Sequence, residues 1–226
     1  MTVRDFVIPG TPVRVVASDA VEGDQRPPSP MSPAMFTALG ERPWSWLHQK
    51  HGTDVHVVRW PGDRTGSDGD GLVTDVEDAV LVAFSADCPL VALGSAEGVA
   101  GIVHAGWRGL VSGMVEEGVR RMRDLGAGQV FAWRAACIHA ECYEFGEDEL
   151  ERAVGLFGEG VRAETSEGRP ALDLPAGVRI ALDRSGALLV GEQPECTACS
   201  PGWFSWRARQ DTGRVAVAVR VDKSVT

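Results

Sequence analysis

Seven short β-rich runs punctuate the sequence, at Val13 to Val16, Val55 to Trp60, Val80 to Ser85, Leu90 to Leu93, Val99 to His104, Gln129 to Trp133 and Val215 to Val221. Glycine, proline or a polar residue closes most of them. Runs of this length fit strands, and no regular strand–helix alternation joins them, which argues against a barrel or a doubly wound nucleotide fold. Helical periodicity appears at Val111, Met114, Val115, Val119, Met122 and Leu125, predicting one helix that stops before the Gly126 to Gly128 loop. A second helix is predicted near Glu147 to Phe157, with acidic residues in its first turn. A third is predicted near Asp173 to Leu182, where Asp173 caps and Pro175 fits the first turn. The stretches Val21 to Pro33 and Pro61 to Gly71, rich in proline, glycine and aspartate, read as surface loops. The pattern predicts an α+β chain, a mixed α/β sandwich formed as a single domain over residues 1–226.

Composition narrows the function. A net charge of -10, from 32 acidic against 22 basic residues, disfavours nucleic acid or anionic lipid as a general partner and favours a small-molecule substrate. No apolar run approaches the roughly 20 residues that span a bilayer. Asp5 and Pro9 interrupt what a signal peptide would need, so the reading is cytoplasmic. There is no GxGxxG and no phosphate-loop lysine motif. Five cysteines are an odd number at ordinary density and read as thiols or ligands. Cys196 and Cys199 form a CxxC, but no second CxxC or HxxxH partners it, and Cys137 and Cys142 are not at zinc-ribbon spacing. A structural zinc knuckle is therefore not expected.

Three strand ends carry polar residues that a core would not choose. AVLVAFSADCPL ends in Asp87 and Cys88 and is stopped by Pro89, and VAGIVHAGWRGL ends in His104 before a glycine-flanked turn. In HQKHGTDVHVV, which holds three of the five histidines, Gly52 permits a tight turn after His51. Two imidazoles and one thiolate suit a single transition metal with one open position, zinc first. Spacing alone leaves open whether the three meet. A cysteine at a strand end also packs as a small hydrophobe, and a histidine beside a strand is also an ordinary hydrogen-bonded residue.

At this point the sequence resembles a known family. ADCPLVALGSAEGVAGIVHAGWRGLVSGMVEEGV looks like the signature of the laccase-domain proteins, also called multicopper polyphenol oxidoreductases or YlmD/YfiH-like proteins. HQKHGTDVHVV, GDGLVTD, CYEFGEDEL, LDLPAGVRIAL and CTACSPGWFSWRARQDTGR match the family in its order, from about Trp46 onward. The resemblance implies a YfiH-like mixed α/β sandwich, a mononuclear zinc held by His51, Cys88 and His104, and purine nucleoside phosphorylase activity. In relatives that activity extends to methylthioadenosine phosphorolysis and adenosine deamination. Three features depart from the family pattern. The proline-rich Val21 to Ala34 replaces an Arg-Gly-Gly-x-Ser and a Ser-Leu-Asn-Leu, Ala135 and Ala136 stand for Gly-Pro, and Gln49, Lys50, His51, Gly52 stand for Gln-Val-His-Gly. The altered N-terminal segment predicts normal zinc binding with slow turnover of common purine nucleosides.

The implied chemistry assigns further roles. Four copper ions need roughly two to four mostly imidazole ligands each, which five histidines cannot supply, so laccase chemistry is rejected and copper is ranked behind zinc. Phosphorolysis requires anion binding, for which Arg108, at the start of a helix, is the candidate against the plain reading of a surface arginine. For deamination Asp87, next to Cys88, is a candidate proton shuttle, with turn capping or orientation of a ligand histidine as the alternative. Tyr143, the only tyrosine, is a candidate contact for base or ribose, with core packing as its alternative, and Arg207 is a candidate rim residue. Cys142 reads as core, Cys196 and Cys199 as structural thiols or a labile disulfide, and Trp203, Phe204 and Trp206 as core or pocket wall. The rivals are a metal-free cysteine hydrolase with Cys88 as nucleophile and His104 as base, linked in some relatives to editing of peptidoglycan precursors, and a partner-binding protein with a structural zinc.

Overall fold

The computed structural model describes residues 3–29 and 31–222, so Pro30, within the predicted Val21 to Pro33 loop, and Met1 and Thr2 lie outside the described residues. Two six-stranded sheets are stacked. The first runs Val3–Val7, Val13–Ser18, Val215–Val221, Val80–Ser85, Trp44–His48, Ser67–Asp68 in spatial order. The second runs Leu188–Glu192, Val130–Arg134, Leu90–Ser95, Ala100–His104, Gly71–Thr74, Val55–Val57. Each mixes parallel and antiparallel pairs, and a two-stranded ribbon joins Arg162–Glu164 to Pro170–Leu172.

The side-chain alternation of the strands sets the layers. Leu81 and Ala83 face the second sheet with Val15 and Val217, meeting Ala92 and Ile102, and this apolar layer holds the sheets together. Val80, Val82 and Phe84 face the other way, against Met35 and Leu39 of the Pro33–Leu39 helix. On the outer face of the second sheet, Val91, Leu93 and Val103 pack on Met114, Val115, Val119 and Met122, with Leu150 and Val178 from the following helices. Strands buried on both faces explain why Val80–Ser85 and Leu90–Ser95 are unbroken apolar runs rather than alternating ones. The result is a helix–sheet–sheet–helix sandwich, in agreement with the expected α+β fold. No helix among the described residues is long and apolar enough to cross a membrane.

Several local expectations are corrected. The stripe from Val111 to Leu125 is two helices, Trp107–Val111 and Met114–Asp124, because Gly113 takes a left-handed conformation (φ 92°) between them. Burying Met114, Val115, Val119 and Met122, at about 1.5–3 kcal/mol each, outweighs the roughly 1 kcal/mol that a glycine interruption costs. Pro33 opens a helix capped by the Ser32 hydroxyl, which accepts from Met35 N, so the serine and proline there are an N-terminus signal rather than loop. The Val55 strand ends at Val57. The Pro61 to Gly71 stretch is surface only in part, since Asp70 is 2% exposed and Gly71 is buried in the second sheet. The Glu147–Phe157 helix and the Leu174–Ser185 helix, with Asp173 accepting from Ala176 N at 2.8 Å, follow the prediction.

Candidate active site

Strand register brings the site together. Leu90 lies opposite His104 in the antiparallel pair, so Cys88, two residues earlier, ends beside the imidazole. His51 arrives from the turn after the Trp44–His48 strand. Gln49 fixes that turn by donating to Phe84 O and accepting from Phe84 N at 2.8 and 2.9 Å. The left-handed residue of the turn is His51 itself (φ 62°), not the glycine that follows it. One ligand atom each from His51, Cys88 and His104 lies within 4.8 Å of the others, and Cys88 Sγ is 3.9 Å from His51 Nε2.

Asp70 organises these groups. Its carboxylate accepts from Lys50 N (3.1 Å), His51 N (2.9 Å), Gly52 N (2.7 Å) and His104 Nδ1–H (3.0 Å). Burial opposes its charge, but the His104 contact and the backbone donors prevail and hold its pKa below the usual value. With Nδ1 tied to Asp70, His104 has Nε2 left for a ligand. Gly106 is required by close approach, since a Cβ there would stand 2.9 Å from His51 Cδ2 and 3.0 Å from Cys88 Sγ. The donor set, two imidazoles and a thiolate with an oriented histidine, fits a zinc-type ion.

The bare site is itself polarised. Burial works against a Cys88 thiolate, yet the His104 charge and the hydrogen bonds from His104 and His51 outweigh it and hold the thiol down at about 6. Burial likewise opposes His104, and the Cys88 thiolate and Asp70 raise it to about 9. Cys137, by contrast, is pushed up to about 12, burial dominating over nearby Arg134. In metal-free protein, alkylation of Cys88 should therefore be fast above about pH 6 and fall as pH drops through that value. A midpoint near the ordinary thiol value of about 8.5 would show that the pair does not form.

The triad lies in a cavity of about 650 Å³ whose lining includes four arginines: Arg26, Arg108, Arg207 and Arg214. Arg108 is exposed and stacks on Trp107 (4.6 Å to the ring centroid), and its guanidinium has no hydrogen bond or ion pair among the described residues. Its helix spans only five residues, so a helix dipole adds little beside the guanidinium. Arg207 lies over the Tyr143 ring (4.7 Å) and donates to Glu144 O. Tyr143 is buried and leans on Phe145. Both oxygens of buried Asp87 are engaged, accepting from Thr197 Oγ1 and Arg207 N, each at 2.7 Å.

The chain matches the family model described as multi-copper polyphenol oxidoreductase laccase over residues 32–222. It belongs to that family. It is 39% identical over 181 residues to a purine nucleoside phosphorylase of Streptomyces coelicolor, covering 78% of this chain and 74% of that one. It is 35% identical over 198 residues to a purine nucleoside phosphorylase of Deinococcus radiodurans, covering 84% and 75%. In fold it resembles YlmD from Geobacillus stearothermophilus (TM-score 0.78, 22% identity, 95% and 94% covered) and a Neisseria meningitidis protein (TM-score 0.82, 21% identity, 98% and 100% covered).

In this member of the laccase-like family, the candidate residues His51, Asp87, Cys88, His104, Arg108, Tyr143 and Arg207 all line one cavity. Sequence reasoning missed Asp70, although it lies in GDGLVTD between two glycines, and missed Arg26, Arg214 and Gly106. Arg26 belongs to the segment that departs from the family pattern, so that segment does form part of the wall. It is laced to the C-terminal loop. Gln25 N donates to Arg214 O, Arg214 N donates to Asp24 Oδ1, Arg26 donates to Thr212 O, and Ala20 N donates to Gly202 O.

Proposed function

We propose that this protein is a zinc-dependent purine nucleoside phosphorylase. The observation that carries the reading is the gathering of four arginines around a His–Cys–His cluster in a chain whose net charge is -10. Such a pocket is built for an anionic co-substrate, and relatives at 31–39% identity bear the name of that activity. His51, Cys88 and His104 would hold the zinc, which when bound supplies Lewis acidity toward a substrate oxygen. Phosphate attacks the anomeric carbon as the glycosidic bond breaks, the bonding pair leaves with the purine, and positive charge builds on the sugar. Arg108 holds a phosphate edge through its free guanidinium fork. Trp46 and Trp206 offer aromatic faces for the purine. Tyr143 supports Arg207 from beneath, and Asp87 fixes the backbone of Arg207 while its engaged oxygens leave proton transfer in deamination as a second role.

Zinc-loaded protein with phosphate and adenosine, inosine, guanosine or methylthioadenosine should release free base and sugar phosphate in equal amounts. Base release without sugar phosphate would overturn the reading. Arg108→Ala should raise KM for phosphate by about tenfold to a hundredfold, the value of a charge-assisted contact, with little change for the nucleoside. Equal changes in both would remove the phosphate role.

One observation favours a second reading. Cys88, His104 and Asp70 form a nucleophile–base–carboxylate line, and the thiol is already lowered toward about 6. A cysteine hydrolase would be active without metal and irreversibly blocked by alkylation, whereas a zinc phosphorylase loses turnover on chelation and regains it with zinc.

A further inference from the structure

A second cluster of metal-ligating groups lies outside the triad. Ligand atoms of Glu141, Cys142, Cys196 and Cys199 all lie within 4.8 Å of one another. The fold creates this group from two remote segments. Cys137 and Cys196 form a parallel bridge, with Thr197 N donating to Cys137 O. That pairing sets the turn of Cys196-x-x-Cys199, closed by Ser200 N to Cys196 O, against the short helical turn Ala140–Cys142. No second CxxC or HxxxH accompanies this pair in the sequence, but in space Cys142 brings a third sulfur and Glu141 a carboxylate.

The chemistry of the cluster asks for a cation. Cys142 Sγ lies 3.0 Å from Cys199 Sγ, and Cys199 Sγ lies 3.6 Å from Glu141 Oε1. No lysine or arginine hydrogen bond or ion pair reaches these four side chains among the described residues. Among the described residues, the one backbone donor directed at them is His139 N, 3.4 Å from Cys196 Sγ. His139 Nδ1 stands 3.9 Å from Glu141 Oε1, within ion-pair range when the imidazole is protonated. Three sulfurs and a carboxylate thus converge with no cationic side chain beside them other than that histidine among the described residues. All five cysteines are free thiols. A tetrahedral ion with metal–sulfur bonds of about 2.3 Å would spread the sulfurs to about 3.8 Å and relieve the crowding.

We propose that Cys142, Cys196, Cys199 and Glu141 form a second, structural zinc site. Three thiolates and a carboxylate complete four-coordination without an open position, unlike the triad. The site clamps two pocket-forming segments. Cys142 precedes Tyr143. Thr197, inside the CxxC, donates to Asp87, while Arg209 binds Ala198 O and Thr197 O.

The test is zinc stoichiometry and thiol state in the full chain, loaded with zinc and freed of excess, for wild type and for Cys88→Ala, Cys142→Ser and Cys199→Ser. Wild type should hold two zinc ions, and Cys88→Ala one. Cys199→Ser, altered at an exposed position, should also hold one. Cobalt in Cys88→Ala should give intense thiolate-to-metal absorption, weakened by adding Cys199→Ser. If the triad holds no metal, wild type would carry one ion that survives Cys88→Ala, so the two assignments fail separately. Absence of zinc and cobalt from Cys88→Ala would overturn the proposal. So would undiminished zinc in Cys199→Ser, or a Cys142–Cys199 disulfide in zinc-loaded wild type.

Discussion

Replacing Asp70 with alanine is expected to weaken zinc binding at the triad and to destabilise the metal-free protein by about 3–5 kcal/mol, the range for removing one partner of a buried charged pair. The size follows from what the carboxylate satisfies. It accepts from three backbone N–H groups of the His51 turn and from His104 Nδ1, and it is 2% exposed, so water replaces it poorly. The turn would lose the anchor that keeps His51 in its left-handed conformation, and His104 would lose the partner that fixes its tautomer. Asp70→Asn separates the two effects. It keeps an acceptor oxygen for part of the turn while losing the charge, so affinity should fall about 10- to 100-fold with a smaller stability cost. Zinc titration and urea unfolding measure both quantities, and wild-type zinc affinity in Asp70→Ala would remove its orienting role.

The second large effect is expected at Gly106→Ala. Its backbone angles (φ -56°, ψ 153°) are ordinary for any residue, so the chain should fold with a near-wild-type unfolding midpoint. The added methyl group, however, would press on the His51 ring and the Cys88 sulfur at 2.9 and 3.0 Å. Neither contact is the free end of a flexible side chain, and the ligands must move apart. A displacement of about 1 Å at a reacting centre costs about a hundredfold in rate, so kcat/KM should fall by that order while stability holds. An unchanged kcat/KM would mean that the cluster is looser than its packing indicates.

The parts of this molecule that were legible in the sequence are those governed by local rules. Val80–Ser85, Val215–Val221 and Glu147–Phe157 were readable because burial on both faces, alternation, or an acidic first turn is written in adjacent residues. His51, Cys88 and His104 stood out because a polar residue ending an apolar strand has a cost that packing does not explain. What could not be read depended on register or on conformations with weak local signals. Nothing near Asp70 announces that four donors will converge on it from the His51 turn and the His104 strand. Gly113 splits a continuous apolar stripe, which periodicity cannot see because the stripe resumes in phase. Cys142 meets Cys196 and Cys199 through a bridge spanning more than fifty residues of sequence, whereas spacing rules for metal motifs describe neighbours.

The lacing of residues 20–26 to residues 202–214 gives the pocket rim a property of its own. Two stretches from opposite ends of the chain share backbone hydrogen bonds, so neither can change length or path without stranding donors and acceptors of the other. The rim therefore behaves as a pair: an insertion in one stretch of the lace requires a matching adjustment in its counterpart. The triad and Asp70 lie between these ends, within residues 51–104, and take no hydrogen bond from the lace. A change of path in the rim can therefore reshape the mouth of the cavity while the His51, Cys88 and His104 cluster on its floor keeps its own hydrogen bonds.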